Sequence, residues 1–392
     1  MTRPDATLAN WQDPGINEWA FGHVRELIPT ERIGRGAGPA SLLVSGDAID
    51  LDGVVVNVGE KRQSAAAVVE ASNTDALMMV HEGRIRVEQY GATMAPDRTH
   101  ILMSVSKSVT STLAGILISE GLLRSSDGVT RHVPELVGTG FDGCTVQDLL
   151  DFRAGIAFSE DYADMDADVR IYEQVAGHRP RTKPDLPSTL YDYMPGLASK
   201  GHHGGAFDYQ SILTDLLAWV LECAAGATFA ELVSSRIWSR IGAEYDAEVT
   251  VDPAGCALAD GGICATLRDV ARFGLAHLER GVVADRQVVP RAWVLECTRR
   301  DGELVDAYQR GSAGRPDRFA MYHNNWWVLD ADRGISAGLG IYGQFLYVDR
   351  SRDCVIVKFS SWPTALDLRL ADLHFALADA LCSRAEETAR GT

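Results

Sequence analysis

Ser104 and Lys107 are the two residues of this sequence whose types and spacing best suit covalent chemistry. They stand three positions apart at the start of a predicted helix, so their side chains share one face about one turn apart. A serine hydroxyl attacks a carbonyl carbon once a base removes its proton, and a neutral lysine amine is such a base. Burial near the positive end of a helix dipole favours the neutral amine. The pair therefore predicts nucleophilic catalysis by Ser104, with Lys107 accepting its proton.

The same spacing of serine and lysine is also compatible with the exposed face of an ordinary amphipathic helix, and the motif alone favours that interpretation. Its surroundings favour the catalytic interpretation instead. Only Lys107, among five lysines, has a serine three residues earlier, and residues 101–103 before Ser104 are apolar. We therefore expect the motif at a buried corner where a strand leads into a helix.

Other patterns with known chemistry fit less well. Ser336 stands in a Gly-x-Ser-x-Gly sequence, but a β-rich segment follows where a nucleophile elbow requires a helix. The acidic run 164–168 lacks the glycine and the final glutamate of a calcium loop. His202 and His203 are adjacent, so regular structure cannot direct both rings at one metal, and no HExxH motif occurs. We expect neither a metal nor another cofactor.

Hydrophobic periodicity predicts the elements that position these residues. Apolar residues on both sides of Glu82-Gly83 predict a hairpin, and apolar spacings of three and four after Ser104 predict a helix. The predicted strands are 77–80, 84–90, 335–348 and 354–360. The predicted helices are 104–120, 146–152, 211–224, 229–241, 267–279 and 367–382.

These elements predict an α/β protein of the α+β type, in which helices flank an antiparallel sheet. Successive hairpins without helical crossovers imply the antiparallel pairing. We assign residues 1–126 and 327–392 to the sheet domain and residues 127–326 to a mostly helical insertion. The active site is expected at their junction.

Composition and charge exclude several classes of function. The 37 Lys and Arg residues against 54 Asp and Glu residues leave a net charge of −17, which repels nucleic acids and anionic lipid headgroups. No apolar run reaches the roughly 18 residues of a membrane span, and the first residues do not resemble a signal peptide. Seven scattered cysteines without a CxxC pair predict reduced thiols. We expect a cytoplasmic protein that binds neither nucleic acid nor membrane.

Four segments resemble, in order, motifs of the serine β-lactamase and penicillin-binding protein superfamily, with a class C-like pattern. They are LMSVSKS at 102–108, VQDLLDFRAGI at 146–156, FDYQS at 207–211 and GGICATLRDVARFG at 261–274. The resemblance implies the β-lactamase/DD-peptidase fold and an acyl-enzyme on Ser104. It also implies that Tyr209 is an acid/base partner hydrogen-bonded to Ser104 and Lys107. Ser211 would help to orient the lysine.

A further motif of this superfamily lies on the edge strand of its active site and corresponds here to Gly340-Ile341-Tyr342-Gly343. The resemblance implies that the main-chain N–H groups of Ser104 and Ile341 form the oxyanion hole. The Lys-Thr-Gly version found in penicillin-binding members is replaced, which removes the partner of a β-lactam carboxylate. We therefore do not expect penicillin to be the natural substrate.

Within the superfamily, residues 10–29, 160–162, 326–327 and 355–363 are similar to the aminohexanoate-dimer hydrolases, a branch that degrades nylon oligomers. The resemblance covers nearly the whole chain and implies cleavage of small linear amides. It also implies that Tyr162 hydrogen-bonds the amide nitrogen. Glu173 and Asp260 stand where the branch meets the amino group of its substrate, but differ from it in residue type. The residues implied in substrate binding are Tyr162, Glu173, His178, Asp260, Trp327 and Tyr342.

Two alternatives remain open from the sequence. One is a carboxylesterase or acyltransferase of the same fold, in which Tyr162 is passive. The other is a ligand-binding relative that does not turn over, although the presence of Ser104, Lys107 and Tyr209 argues against it. His178 and Tyr342 replace a tryptophan and a histidine of the branch, so the substrate pocket has changed shape. A small-molecule amide or ester is the expected partner, and a homodimer is the commonest assembly for such a chain.

Overall fold

A computed structural model of the chain describes residues 4–311 and 318–390. These residues form both strands and helices. The strands are β1 (Thr30–Ile33), β2 (Val44–Ser45), β3 (Val55–Val58), β4 (Lys61–Ser64), β5 (Thr74–His81), β6 (Arg84–Tyr90), β7 (His100–Ile101), β8 (Ala247–Thr250), β9 (Ile263–Ala265), β10 (Val282–Val283), β11 (Arg286–Gln287), β12 (Met321–His323), β13 (Trp326–Asp330), β14 (Ile335–Gly340), β15 (Gln344–Asp349) and β16 (Cys354–Ser360). The α-helices are α1 (Asn17–Ala20), α2 (Ala65–Ala71), α3 (Ser106–Ser119), α4 (Val146–Leu150), α5 (Asp168–Val175), α6 (Leu190–Tyr193), α7 (Ile212–Ala225), α8 (Phe229–Val233), α9 (Leu267–Leu278), α10 (Arg291–Glu296), α11 (Gly302–Gln309) and α12 (Leu368–Arg390).

The central sheet has eight strands in the order β12-β13-β14-β15-β16-β5-β6-β2. Its neighbouring strands are antiparallel, except for a two-residue parallel pairing of β2 with β6. The predicted hairpin around Glu82-Gly83 is confirmed as β5 and β6. Glu82 and Gly83 have φ angles of 49° and 68°, which suit a tight turn between antiparallel strands. The predicted class, an antiparallel sheet flanked by helices, is confirmed.

A second sheet has the order β1-β8-β9-β7, and its strand β7 directly precedes the turn that contains Ser104. Its last strand, β7, ends at Ile101, and the N–H of Leu102 donates to the carbonyl of Ile263 on β9 at 2.8 Å. The strand-to-helix corner predicted before Ser104 is therefore present. The second sheet therefore contacts one side of this corner, and β14 lies on the other side.

Helix α3 is the central helix of the larger hydrophobic core, and residues 106–117 are all buried. Its polar side chains are satisfied by main-chain carbonyls, because a buried hydroxyl without a partner would cost free energy. Thr110 donates to Ala259 at 2.9 Å, and Ser108 donates to Asn325 at 3.1 Å. These bonds tie the catalytic helix to the loops on both sides of it.

Several element boundaries differ from the predictions for physical reasons. The β-rich run 335–348 is divided at Ile341–Gly343, where Tyr342 and Gly343 have positive φ angles of 60° and 87°. A Cβ on Gly343 would lie 2.4 Å from the Trp362 indole, so only glycine fits there. The helix predicted over 229–241 ends at Val233 and continues as a π-helical turn, Ser234–Trp238.

Residues 127–326 contain more than the expected helices. Strands β8 and β9 join the second sheet, β12 joins the central sheet, and α9 packs against β5, β15 and β16. These elements cross the boundary that the sequence analysis drew at 127. The division into a sheet domain and a helical insertion stays a prediction.

Within the described ranges, no single helix is long and apolar enough to span a membrane. The helix pair Ile212–Ala225 and Phe229–Trp238 meets that criterion only when taken together, and it is bent by 77°. The same ranges hold no group of three or more His, Cys, Asp or Glu side chains placed to bind a metal. The seven cysteines are free thiols, and Cys223 alone among them is exposed.

Candidate active site

Ser104 lies in a single 3-10 turn, Met103–Val105, directly before α3. Met103 has a φ angle of 45°, an uncommon conformation for a residue with a side chain, which the surrounding structure must hold in place. Strand β14 provides that support: a Cβ on Gly340 would lie 2.7 Å from the Leu102 carbonyl oxygen and 2.9 Å from the Met103 Cβ. The end of β14 therefore lies directly against the turn that carries Ser104.

Lys107 lies one turn along α3 and is fully buried. Its Nζ donates to Ser104 Oγ at 2.7 Å and to the Asp260 carbonyl oxygen at 3.0 Å, and it lies 3.3 Å from Asp260 Oδ2. An ammonium group has three donors and no acceptor, so these contacts use all three. As an ammonium, Lys107 holds the Ser104 oxygen but cannot accept its proton.

The surroundings of Lys107 favour its ammonium form, whereas the sequence predicted a neutral amine. Burial lowers the pKa of Lys107, but opposing negative charges outweigh burial and raise it overall. The groups whose ionised forms raise this pKa are, in decreasing order of effect, Tyr209, Asp260, Glu160 and Asp215. The expectation considered burial and the helix dipole, whereas the fold also brings carboxylates from distant segments to the lysine.

Tyr209 is the third member of the group, in the loop before α7. Its ring centre lies 5.3 Å from Lys107 Nζ, and its ring stacks on Trp327 at 5.7 Å with an interplanar angle of 18°. Burial raises the pKa of Tyr209, while Lys107 and a hydrogen bond with Ser104 act in the opposite direction. The structure thus brings Ser104, Lys107 and Tyr209 together, with Tyr209 a neutral phenol at neutral pH.

Ile341 follows Gly340 at the end of β14 and, like Ser104, lines the main cleft. Its position beside the Ser104 turn is compatible with an oxyanion hole formed by the N–H groups of Ser104 and Ile341. That role stays a prediction.

Replacing Gly340 with alanine is expected to lower kcat about 100-fold, the size of effect seen when one oxyanion donor is lost. The added methyl group would meet Leu102 and Met103 at under 3 Å and displace β14 from the turn. Gly196→Ala is the matched control, because a Cβ at Gly196 has no atom within 4 Å. Initial rates with one ester substrate, beside thermal unfolding of each variant, check the prediction. Unchanged kcat in Gly340→Ala would remove the argument that β14 contributes an oxyanion donor.

Glu160 is a residue of the site that the sequence analysis passed over. It accepts hydrogen bonds from the Ser211 N–H at 2.5 Å, the Ser211 hydroxyl at 2.6 Å and the Tyr162 hydroxyl at 2.6 Å. Burial raises the pKa of this carboxyl group. Ser211 was expected to orient Lys107, but the structure gives its hydroxyl to Glu160 instead. Glu160 belongs to the Glu-Asp-Tyr sequence that resembles the family, but the resemblance was used to assign a role to the tyrosine alone.

The carboxylates expected to meet a substrate amine already have cationic partners. Glu173 Oε2 lies 2.8 Å from Arg170 Nη1 and 2.5 Å from Arg179 Nε, and Asp260 is paired with Lys107. Their charges are therefore compensated within the protein. A cationic substrate would have to compete with these ion pairs.

His178 and Tyr342, also expected in the substrate pocket, have different surroundings. His178 Nε2 is 2.8 Å from Thr250 Oγ1, and burial lowers its pKa to about 4, so the ring is neutral. His178 lines only a small space of about 40 Å³ behind Ser104. Tyr342 packs its ring against Phe21 at 5.3 Å in the second hydrophobic core. The structure gives Tyr342 a packing role where the sequence predicted a substrate contact.

The main cleft opens over Ser104 and has a volume of about 730 Å³, within the range of small-molecule sites. Trp327 and Tyr162 line it, as expected for substrate-binding residues. Charged side chains lie among the aromatic ones, as the ion pairs Lys200–Asp208 and Arg318–Asp372. The other apolar residues of the wall are Phe158, Phe319, Leu339, Phe345, Trp362, Ala365, Leu366, Leu368, Ala371 and Phe375.

Comparison with known proteins gives one family and consistent relatives. The beta-lactamase family model matches residues 65–380. The 6-aminohexanoate-dimer hydrolase of Paenarthrobacter ureafaciens is 36% identical over 368 residues, covering 92% of this chain and 89% of that protein. A solved structure from Bacillus anthracis, described provisionally as a 6-aminohexanoate-dimer hydrolase, is 27% identical, covers 98% of both chains and has a TM-score of 0.88. A family VIII carboxylesterase shares the fold, with a TM-score of 0.60 at 15% identity and coverage of 86% and 100%.

Proposed function

Because this chain belongs to the beta-lactamase family and is a hydrolase of the serine type, we propose that it cleaves amide bonds of small linear molecules. The class of substrate is that of 6-aminohexanoate dimers. One observation supports this proposal most directly: Ser104 and Tyr209 line a cleft that contains several aromatic side chains, and Lys107 is hydrogen-bonded to Ser104 behind it. Tyr162 lies in the wall of the same cleft.

The proposed reaction has two halves that share one set of groups. In the active form Tyr209 is a phenolate beside the Lys107 ammonium, and it takes the hydroxyl proton as Ser104 attacks the carbonyl carbon. The N–H groups of Ser104 and Ile341 stabilise the oxyanion, and Tyr209 returns the proton to the leaving nitrogen as the C–N bond breaks. Water then attacks the carbonyl carbon of the acyl-enzyme, and Tyr209 takes a proton from that water. Tyr209 passes the proton to the Ser104 oxygen as the ester bond to Ser104 breaks. A raised Tyr209 pKa means that the active form increases as pH rises.

Tyr162 supports amide over ester cleavage through the direction of its hydrogen bond. Its hydroxyl proton is donated to Glu160 at 2.6 Å, which leaves the phenolic oxygen as an acceptor facing the cleft. An amide substrate carries an N–H that can donate to this oxygen, whereas an ester has none. The contact would therefore stabilise the leaving nitrogen of an amide only.

Tyr162→Phe is expected to lower kcat/KM for an amide about 10-fold, the size of one hydrogen bond, and to leave an ester with the same acyl group unchanged. Paired initial rates of the amide and the ester, measured on one preparation, give the ratio directly. The ester serves as an internal control for folding and for Ser104. Equal losses on both substrates would show that Tyr162 does not act on the leaving group.

The substrate class is tested by incubating the protein with the linear dimer of 6-aminohexanoate and measuring free 6-aminohexanoate by chromatography. A short p-nitrophenyl ester is assayed in parallel, and Ser104→Ala provides the blank for both. Release of monomer by wild type alone supports the proposal. Ester turnover without monomer release would favour the carboxylesterase alternative, to which the apolar cleft is also suited.

Two further assignments stay predictions from the sequence. They are a cytoplasmic location and assembly as a homodimer. Size-exclusion chromatography with light scattering measures the second directly.

A further inference from the structure

The carboxyl group of Asp215 lies near Lys107 and takes no part in the reaction proposed above. Asp215, on α7, is completely buried, and its Oδ1 accepts the main-chain N–H of Asp260 at 3.0 Å. Tyr172, on α5, is buried too, and its hydroxyl oxygen lies 2.9 Å from Asp260 Oδ1. The same oxygen also makes a very short contact with Asp215 Oδ2. Three segments of the chain therefore meet at one phenolic oxygen.

The two contacts of the Tyr172 hydroxyl bear on how many protons Asp215, Tyr172 and Asp260 share. A phenol carries one proton and can donate it to one oxygen, yet Tyr172 contacts two carboxyl oxygens. Both contacts can be full hydrogen bonds when one of the two carboxyl groups is a protonated acid, since two bare oxygen lone pairs would repel.

The surroundings decide which carboxyl group holds that proton. Asp260 Oδ2 lies within ion-pair distance of Lys107 Nζ, at 3.3 Å. Burial, and then the charge of Asp260, raise the pKa of Asp215 well above its ordinary value. The chain of donors thus runs from the Asp215 acid to Tyr172, and from Tyr172 to the Asp260 carboxylate.

Other titratable groups face this chain from several elements. Tyr172 packs edge-on against Phe158 at 6.1 Å, which holds its ring independently of its hydroxyl. The titratable groups around Asp215 and Asp260 are Lys107 on α3, Tyr162 before α5, Tyr172 on α5, His178 after α5, Tyr209 before α7 and Cys256 before β9.

We propose that Asp215 and Tyr172 are positioning residues that hold the Asp260 carboxylate on Lys107, so that Lys107 remains an ammonium and Tyr209 serves as the base for Ser104. This inference rests on the proposed function, because it concerns the proton that Ser104 must lose. Without the donor chain, the Asp260 carboxylate is no longer held against Lys107. Lys107 then holds its proton less firmly, and Tyr209 loses the neighbouring cation that favours its phenolate.

Tyr172→Phe removes the hydroxyl and keeps the ring against Phe158. We expect kcat at pH 7 to fall about 10-fold, as for the loss of one charge-assisted hydrogen bond, with KM unchanged. The rising limb of the pH–rate profile should move to higher pH by about one unit, since a tenfold loss corresponds to one pKa unit. The variant should therefore regain at alkaline pH the activity that it loses at neutral pH.

Tyr191→Phe is the matched control. Tyr191 also donates to a carboxylate, Glu222, at 2.8 Å, but lies outside the site, so its removal should leave the profile unchanged. Rates are measured with a neutral ester, and the spontaneous rate is subtracted with a Ser104→Ala blank. A Tyr172→Phe profile lowered by the same factor at every pH would indicate a purely structural role and overturn the inference.

Asp215 provides an independent test that does not depend on the Tyr172 variant. Asp215→Ala should shift the profile in the same direction as Tyr172→Phe. Asp215→Asn should rescue it, because an amide N–H can replace the acid proton towards Tyr172 while the amide oxygen still accepts from Asp260. If Asn behaves like Ala, Asp215 is not a protonated acid and the inference fails. If the Ser104→Ala protein is itself active, the proposed function fails instead.

Discussion

Replacing Ser104 with alanine is expected to lower kcat/KM by at least about 10⁴-fold for both amides and esters, because the other groups of such a site retain little activity without the nucleophile. The hydroxyl oxygen is the atom that Lys107 holds at 2.7 Å and that Tyr209 also contacts. Alanine leaves both groups in place but removes the only atom that can bond to the acyl carbon. The loss should appear in kcat, with little change in substrate binding.

Two measurements check this expectation. Initial rates are compared with those of Ser336→Ala, the matched control, because Ser336 is the serine of the Gly-x-Ser-x-Gly sequence and is buried inside β14. Intact-mass spectrometry with a slowly deacylated ester should detect an acyl adduct on wild type and on Ser336→Ala, but none on Ser104→Ala. An adduct on Ser104→Ala would assign the nucleophile to another residue.

Replacing Tyr209 with phenylalanine is expected to lower kcat about 1,000-fold, within the range of general acid–base contributions. The phenylalanine ring keeps the stacking on Trp327, at 5.7 Å in the native site, so the cleft wall is preserved. The variant lacks the proposed base for Ser104, since Lys107 as an ammonium has its three donors occupied.

The pH dependence separates this role from a structural one. Burial raises the pKa of Tyr209, so the phenolate fraction, and with it wild-type kcat/KM, should still rise beyond the ordinary tyrosine pKa of about 10. The residual kcat/KM of Tyr209→Phe should not show this rise with pH. Tyr322→Phe, in the same aromatic cluster at 6.1 Å from Tyr209, is the control and should keep the wild-type profile. Normal rates in Tyr209→Phe would show that Tyr209 is not the base and would favour Lys107 in that role.

Local sequence was sufficient for much of the fold and for the nucleophile. The periodicity after Ser104 located α3 to within two residues, and the turn Glu82-Gly83 located the hairpin, because both signals arise within a few neighbouring positions. Ser104 and Lys107 lie one helical turn apart, so their meeting follows from helix geometry alone. Tyr209 required the family resemblance, since a lone tyrosine before a helix carries no local signal.

The charge state of the site could not be predicted in the same way. Asp215 is 108 positions after Lys107 along the chain, and only the packing of α7 against α3 brings the two together. Glu160 acquires its Ser211 partner through a tertiary contact as well. Hydrophobic patterning specifies which face of a helix is buried, but it does not specify which buried carboxylate faces which cation. The neutral lysine was expected for that reason, whereas the fold surrounds Lys107 with groups that raise its pKa.

Helix α12 contributes one wall of the cleft through Leu368, Ala371 and Phe375, which share a face because they are three and four positions apart. None of these three residues touches Ser104, Lys107 or Tyr209 through a described hydrogen bond. Part of the cleft wall is therefore encoded in the last helix, far along the chain from the α3 corner that carries the nucleophile. Selection can change the size of molecule accepted by altering one helical face while proton transfer stays intact. A library randomised at these three codons explores substrate range at little risk to turnover.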